Sequence, residues 1–204
     1  MHLEAQIAIG IALSLLCRSK TKNAPESRQM PIASVVRWQF RKRKKELYKF
    51  VIMATRTKIK IVDNFELRAE IDNLYEQTNQ IDLAKWAIKC AKHILALSEN
   101  EEFDKTAIEN GFRINELWQI GNATIHEVRQ VGFKIHEAAR QSKSEITKNA
   151  IRVCGQAVGV GHMREHAMVC SDYAIKTIQL AFPDQIDKIS QERKWQLNEL
   201  KQYK

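Results

Sequence analysis

The chain has 204 residues, of which 44% are hydrophobic and 28% charged, enough to build one domain with a core. Only seven are glycine and three are proline, which favours helices over sheet. The formal charge of +9 is uneven: residues 1–52 carry 11 Lys and Arg against three Glu, net +8, and residues 53–204 carry 22 against 21, net +1. This balance in the second part excludes the basic footprint of a nucleic-acid-binding domain.

Residues 1–52 differ in composition from the remainder. The apolar run at 7–16 is shorter than the roughly 20 residues that cross a bilayer. A secretory signal has Lys or Arg ahead of its apolar region, and none precedes this run. The basic run at 37–49 could contact phosphate or an anionic membrane. We favour a poorly structured basic leader without stable membrane insertion, an upstream extension ahead of a domain that starts at Met53.

From Asp63 onward, apolar residues recur at helical spacing in seven segments with short connections. The second segment, 82–98, confines its polar residues to one stripe, so we expect a largely buried helix. Thr124 and Glu127 predict a capping box at the start of the fourth, and Pro183 ends the sixth. The predicted fold class is all-α: a single domain over residues 53–204, a compact bundle of about seven helices, with a short solenoid of helix pairs as the alternative.

The stretch 154–176 contains three of the seven glycines, two of the six histidines and two of the four cysteines. Gly155 and Gly159 lie on one helix face, and because a glycine inside a helix costs roughly 1 kcal/mol relative to alanine, the pair predicts close approach of another backbone. Gly159 and Gly161 together predict a break. We expect the next helix to start near His162.

A polar seam is predicted on that next helix. His162 and His166 share a face, Tyr173 falls on the same stripe, and Glu165 and Asp172 lie to one side. The seam is interpreted as a hydrogen-bonded patch that either orients neighbouring helices or faces a partner.

Residues 162–166 also match H-x-x-E-H, in which two histidines hold zinc and the glutamate is the general base. His162 and His166 are therefore candidate metal ligands, and a zinc-dependent hydrolase is the alternative function. A third ligand is required, and Glu192 and Glu199 are the only glutamates downstream. The favoured interpretation involves no metal and no cofactor.

The cysteines and the absent motifs also bear on function. None of the four cysteines forms C-x-x-C, and three fall at predicted buried helical positions, which indicates a reducing, cytoplasmic environment. Cys90 and His93 have ligand-like spacing but no second pair, so we expect a packed cysteine. No phosphate loop or Gly-x-Ser-x-Gly elbow occurs. These residues give little support to an enzyme.

Five stretches between residues 53 and 204 stand out together: LAKWAIKCAKHIL at 83–95, Arg129 with His136 and Ala138-Ala139-Arg140, HMREHA at 162–167, SDYA at 171–174 and ERKWQ at 192–196. In this combination they resemble an immunity-protein family of bacterial polymorphic-toxin systems. The resemblance implies an all-helical cytoplasmic protein that protects the producing cell by binding its own toxin.

If the resemblance holds, the mechanism is occlusion of the toxin's active site by a preformed helical surface, without catalysis. The partner is then a cognate protein toxin and not a nucleic acid. The near-neutral domain gives no support to a nuclease as the toxin. Arg129 and His136 join His162, Glu165, His166, Asp172 and Tyr173 as the expected functional surface.

Overall fold

The computed structural model of the chain describes residue 55 and residues 57–98 and 105–204. Within them lie seven α-helices, a short 3-10 helix and no strand, which confirms the predicted all-α fold. The helices are α1 (Phe65–Gln77), α2 (Gln80–Leu95), α3 (Thr106–Gln119), α4 (Ile125–Gln141), α5 (Glu145–Gly159), α6 (His166–Ala181) and α7 (Ile186–Lys201), and the 3-10 helix is Ala96–Ser98. The predicted leader at 1–52 lies outside the described residues.

Side-chain caps set the start of four helices. Asn64, Asn79 and Ser144 each accept a hydrogen bond from the backbone N–H three residues later, at the starts of α1, α2 and α5. The capping box predicted at Thr124 and Glu127 is confirmed at the start of α4. None of the described helices is both long and apolar enough to span a bilayer.

Helix α5 occupies the centre of the described fold. It packs against α2, α3, α4 and α6, while α7 packs against α1 and α6. Helix α2 is largely buried, as its stripe pattern predicted, and Trp86 on it is completely buried. The Trp86 indole Nε1 donates to the backbone oxygen of Gln196, 2.9 Å away, so this large side chain also ties α2 to α7.

A buried ionic network joins α1, α6, α7 and the segment before α1. Arg68 donates twice to the carboxylate of Asp172, with both N···O distances 3.1 Å. Arg193 donates to both oxygens of Asp63, at 2.9 and 2.6 Å, and to Asp172 at 2.9 Å. All four side chains are at most 6% exposed. Two cations alternate with two anions, so the attraction offsets the cost of removing each charge from water.

Polar neighbours complete the network. Arg193 Nη1 donates to the Ser171 hydroxyl and to the Gln196 side-chain oxygen, at 2.5 and 3.0 Å, so this guanidinium makes five hydrogen bonds in total. On α1, Asp72 accepts from the backbone N–H and the hydroxyl of Thr55, at 2.8 and 2.7 Å. The network therefore holds α1 and the segment before it, at Thr55 and Asp63, against α6 and α7.

We predict that Asp172→Asn lowers the free energy of unfolding by about 3–5 kcal/mol, because it leaves two buried guanidinium groups with a single carboxylate. Urea denaturation followed by circular dichroism measures this loss. Lys194→Ala, at an exposed position of α7, is the control and should change stability by no more than about 0.5 kcal/mol. A similar small effect of both substitutions would contradict the structural role of Asp172.

Candidate functional site

The predicted polar seam divides into two parts in the structure. Asp172 points into the ionic network and is 2% exposed, so it ties helices together. His162 and His166 are half-buried, and Glu165 is exposed. The helix expected from His162 begins at His166, because residues 160–165 form successive turns after α5 ends at Gly159. The predicted break after Gly159 is confirmed.

Helices α4, α5 and α6 pack side by side in the order α4, α5, α6. Polar and aromatic side chains gather along the outer side of this layer, and we call the set the histidine face. Its members are Arg129, Phe133 and His136 from α4, Arg152 and Gln156 from α5, His162 from the α5–α6 connection, and His166 and Tyr173 from α6.

Gly155 and Gly159 provide the space for two imidazole rings. A Cβ atom added to Gly155 would lie 2.6 Å from Cε1 of His136, and one added to Gly159 would lie 3.0 Å from Cγ of His166. The glycine pair predicted a close neighbouring backbone, but the nearest atoms at both positions belong to these rings. A methyl group at residue 155 would therefore displace the His136 ring, and one at residue 159 would crowd the His166 ring.

The imidazole rings of His162 and His166 contact each other on the histidine face. Their ring centroids are 4.7 Å apart and the planes are inclined at 51°. Nδ1 of His166 lies 2.5 Å from the side-chain oxygen of Gln156, so this nitrogen carries the proton in the neutral ring. Nδ1 of His162 is buried and has no hydrogen-bond partner among the described residues. The two Nδ1 atoms therefore differ: that of His166 is held by a hydrogen bond, and that of His162 is free to form one.

The surroundings keep all three imidazoles neutral. Burial, assisted by the neighbouring His162, lowers the pKa of His166 to about 4. Burial also lowers the pKa of His162, assisted by the cation Arg129. The pKa of His136 is lowered by burial and then by Arg152. The face therefore presents uncharged rings beside cationic side chains near neutral pH.

Two pairs of side chains extend the face on either side of the imidazoles. The Arg129 guanidinium carbon lies 5.5 Å from the ring centre of Phe133, one turn along α4. The Arg152 carbon lies 5.9 Å from the ring centre of Tyr173. Both are cation–π contacts at a surface, which hold the guanidinium groups in place.

Three residues of the histidine face, Phe133, Arg152 and Gln156, were not predicted as site residues from the sequence, and neither was the neighbouring Met163. Phe133 is 54% exposed and Met163 46% exposed. Phe133 lies one turn from Arg129, so an aromatic residue beside an arginine on α4 was the signal available in the sequence. Arg152 and Gln156 had no comparable signal, since polar residues on an exposed helix stripe are ordinary.

The geometry also tests the zinc-hydrolase alternative. Among the described residues, no three His, Cys, Asp or Glu side chains are placed to hold a metal ion together. The two candidate third ligands are engaged elsewhere: Glu192 contacts His93 at 3.1 Å, and Glu199 contacts Lys89 at 2.9 Å. The H-x-x-E-H spacing at 162–166 therefore lacks, in the described part of the chain, the third ligand that such a site needs.

We predict that His166→Asn reduces the loss of stability in mild acid. His166 has a folded-state pKa of about 4, below its ordinary value of 6.5, so between these values the unfolded chain binds a proton that the folded chain does not. The free energy of unfolding contributed by His166 therefore falls as the pH is lowered through this window. Thermal unfolding at about pH 7 and about pH 5 measures it. His126→Asn, at an exposed position, should retain the wild-type fall. An identical fall in both variants would contradict the assignment.

We further predict that Gly155→Ala and His136→Ala are coupled. Alanine gains roughly 1 kcal/mol of helix propensity, but beside the His136 ring it is overpacked at a cost of about 1–3 kcal/mol. In the His136→Ala variant the ring is absent and only the gain in helix propensity remains, so Gly155→Ala should raise the stability of that variant. A double-mutant cycle by urea denaturation measures the coupling. Additive effects would show that the ring does not occupy the space above Gly155.

The fold and the histidine face define a class: an all-helical protein whose exposed layer combines guanidinium, imidazole and aromatic groups, a composition typical of protein-binding surfaces. The family model described as "Imm-5 like putative immunity protein" matches residues 73–203, which include every residue of the histidine face. The chain belongs to this family, which confirms the resemblance found in its sequence. Searches of the curated proteins and of the solved structures gave no match.

Proposed function

We propose that the protein binds a cognate toxin in the cytoplasm and neutralises it by steric occlusion, without catalysis, and that the histidine face is the binding surface. The immunity family implies a toxin partner. The observation that carries the choice of surface is the exposed pair of Arg129 and Phe133 beside three half-buried histidines. Arginine and aromatic residues are the side chains most enriched among the dominant contacts of protein interfaces.

Exposed apolar side chains support this surface. Ile125, Arg129 and Phe133 follow one another at four-residue spacing along α4, and both apolar members are more than half exposed. Met163 adds a flexible apolar side chain in the connection that follows α5, and methionine adapts readily to irregular surfaces. Burying this area against a protein would supply affinity that a purely polar patch lacks.

The rigidity of the layer supports occlusion. Helix α5 packs on four other helices, and its glycines seat the rings of His136 and His166 in tight contact. Side chains that are already held in position lose little conformational entropy when a partner binds. A preformed face of this kind can cover a toxin's active site without rearranging.

We predict that Phe133→Ala weakens binding to the cognate toxin domain by about tenfold or more, the loss expected of a central aromatic contact. Phe65→Ala is the matched control, because Phe65 is 76% exposed on α1 and lies outside the histidine face. Isothermal titration calorimetry with a catalytically inactivated toxin domain measures both affinities, and co-expression with the active domain tests protection. Equal effects of the two substitutions would place the binding surface elsewhere, and no binding by the wild-type chain would refute the proposal.

A further inference from the structure

Cationic groups surround the three imidazoles of the histidine face. Among the described residues, the charges of His162, Lys58 and His136 lower the pKa of His166, and the carboxylate of Glu165 opposes them. Glu165 is exposed, and its weak opposing effect does not prevent the pKa of His166 from falling. The face therefore has an excess of positive charge around rings that are themselves neutral.

The other two rings are influenced by arginines. The charges of Arg152 and Arg140 lower the pKa of His136, and the charge of Arg129 lowers that of His162, which also contacts His166. Within the described part of the chain, the charged groups that act on these two rings are thus arginines from α4 and α5. A carboxylate brought to this part of the face would meet favourable charge from several directions.

The arginines of the face have unused hydrogen-bonding capacity. Within the described part of the chain, Arg129 and Arg152 of the face, and Arg140 one turn beyond His136 on α4, form no ion pair and donate no hydrogen bond to another side chain or backbone group. Arg152 also acts on Glu145, but that carboxylate is paired with Lys148. A guanidinium offers parallel N–H groups that fit the two oxygens of a carboxylate, so these side chains are suited to an acidic ligand.

We infer that the histidine face recognises an acidic segment of the toxin, whose carboxylates bind Arg129 and Arg152 while an apolar side chain covers Phe133, and that the imidazoles take up protons on binding. This inference rests on the proposed function and specifies its partner. The buried Nδ1 of His162, which has no partner among the described residues, is one position where a proton can be gained.

The direction of the pH dependence follows from linkage. In the free protein the pKa of each ring lies below 6.5. A carboxylate placed nearby raises the pKa of an imidazole, because it stabilises the charged form. The complex then holds more protons than the free partners, so affinity increases as the pH falls through the pKa of the bound rings.

Charge reversal tests the acidic partner. With the same inactivated toxin domain as the probe, Arg129→Glu and Arg152→Glu should each weaken binding by about tenfold or more. Lys194→Glu changes the net charge by the same amount at an exposed position of α7, away from the histidine face, and should have little effect on binding. If all three reversals act alike while the wild type binds, this inference fails and the proposed function stands. If the wild type does not bind, the proposed function itself fails.

Proton uptake tests the role of the imidazoles. Calorimetry in two buffers with different ionisation enthalpies should show uptake of protons on binding, and affinity should rise several-fold between about pH 8 and about pH 6. His162→Asn with His166→Asn should flatten this dependence. Proton release, or affinity that does not change with pH, would overturn the inference. Binding of a single-stranded RNA oligomer that is abolished by Arg129→Glu would replace the protein partner by a nucleic acid.

Discussion

The buried guanidinium of Arg193 is the constraint on which the arrangement of the described helices depends. It is completely buried, which disfavours its charge, yet Asp63 and Asp172 raise its pKa beyond the ordinary value. All five of its hydrogen bonds are directed to groups before α1, on α6 and on α7 itself. A buried charge requires precise geometry, because each lost hydrogen bond leaves part of its desolvation penalty uncompensated. These helices are therefore fixed in rotation as well as in position.

The rotation of α6 connects this network to the candidate site. Successive residues of a helix are about 100° apart around its axis, so the inward direction of Asp172 determines where Tyr173 and His166 point. Because Asp172 is held by Arg68 and Arg193, the neighbouring Tyr173 stays at the outer side, against Arg152. The network and the histidine face are two sides of the same helix, and the first positions the second.

Local signals predicted the helices well and the division of the polar seam poorly. The capping box at Thr124 and the break after Gly159 depend on neighbouring residues alone, so they could be found from the sequence. The fate of Asp172 depends on Arg68, 104 positions away, and on Arg193, 21 positions away. Helical projection places Asp172 and Tyr173 on adjacent stripes but cannot say which stripe meets a buried cation. Tertiary contacts determine which stripe of α6 meets the buried arginines.

The two polar clusters differ in a way that bears on function. A cluster that only ties helices together is expected to satisfy its buried polar atoms, as Arg193 does with five hydrogen bonds. In the described structure the histidine face instead leaves Nδ1 of His162 unpaired, keeps Phe133 more than half exposed and holds His166 at a pKa of about 4. An unpaired buried polar atom and an imidazole with a strongly shifted pKa are features that cluster at functional surfaces. The contrast favours the histidine face over the ionic network as the proposed binding surface.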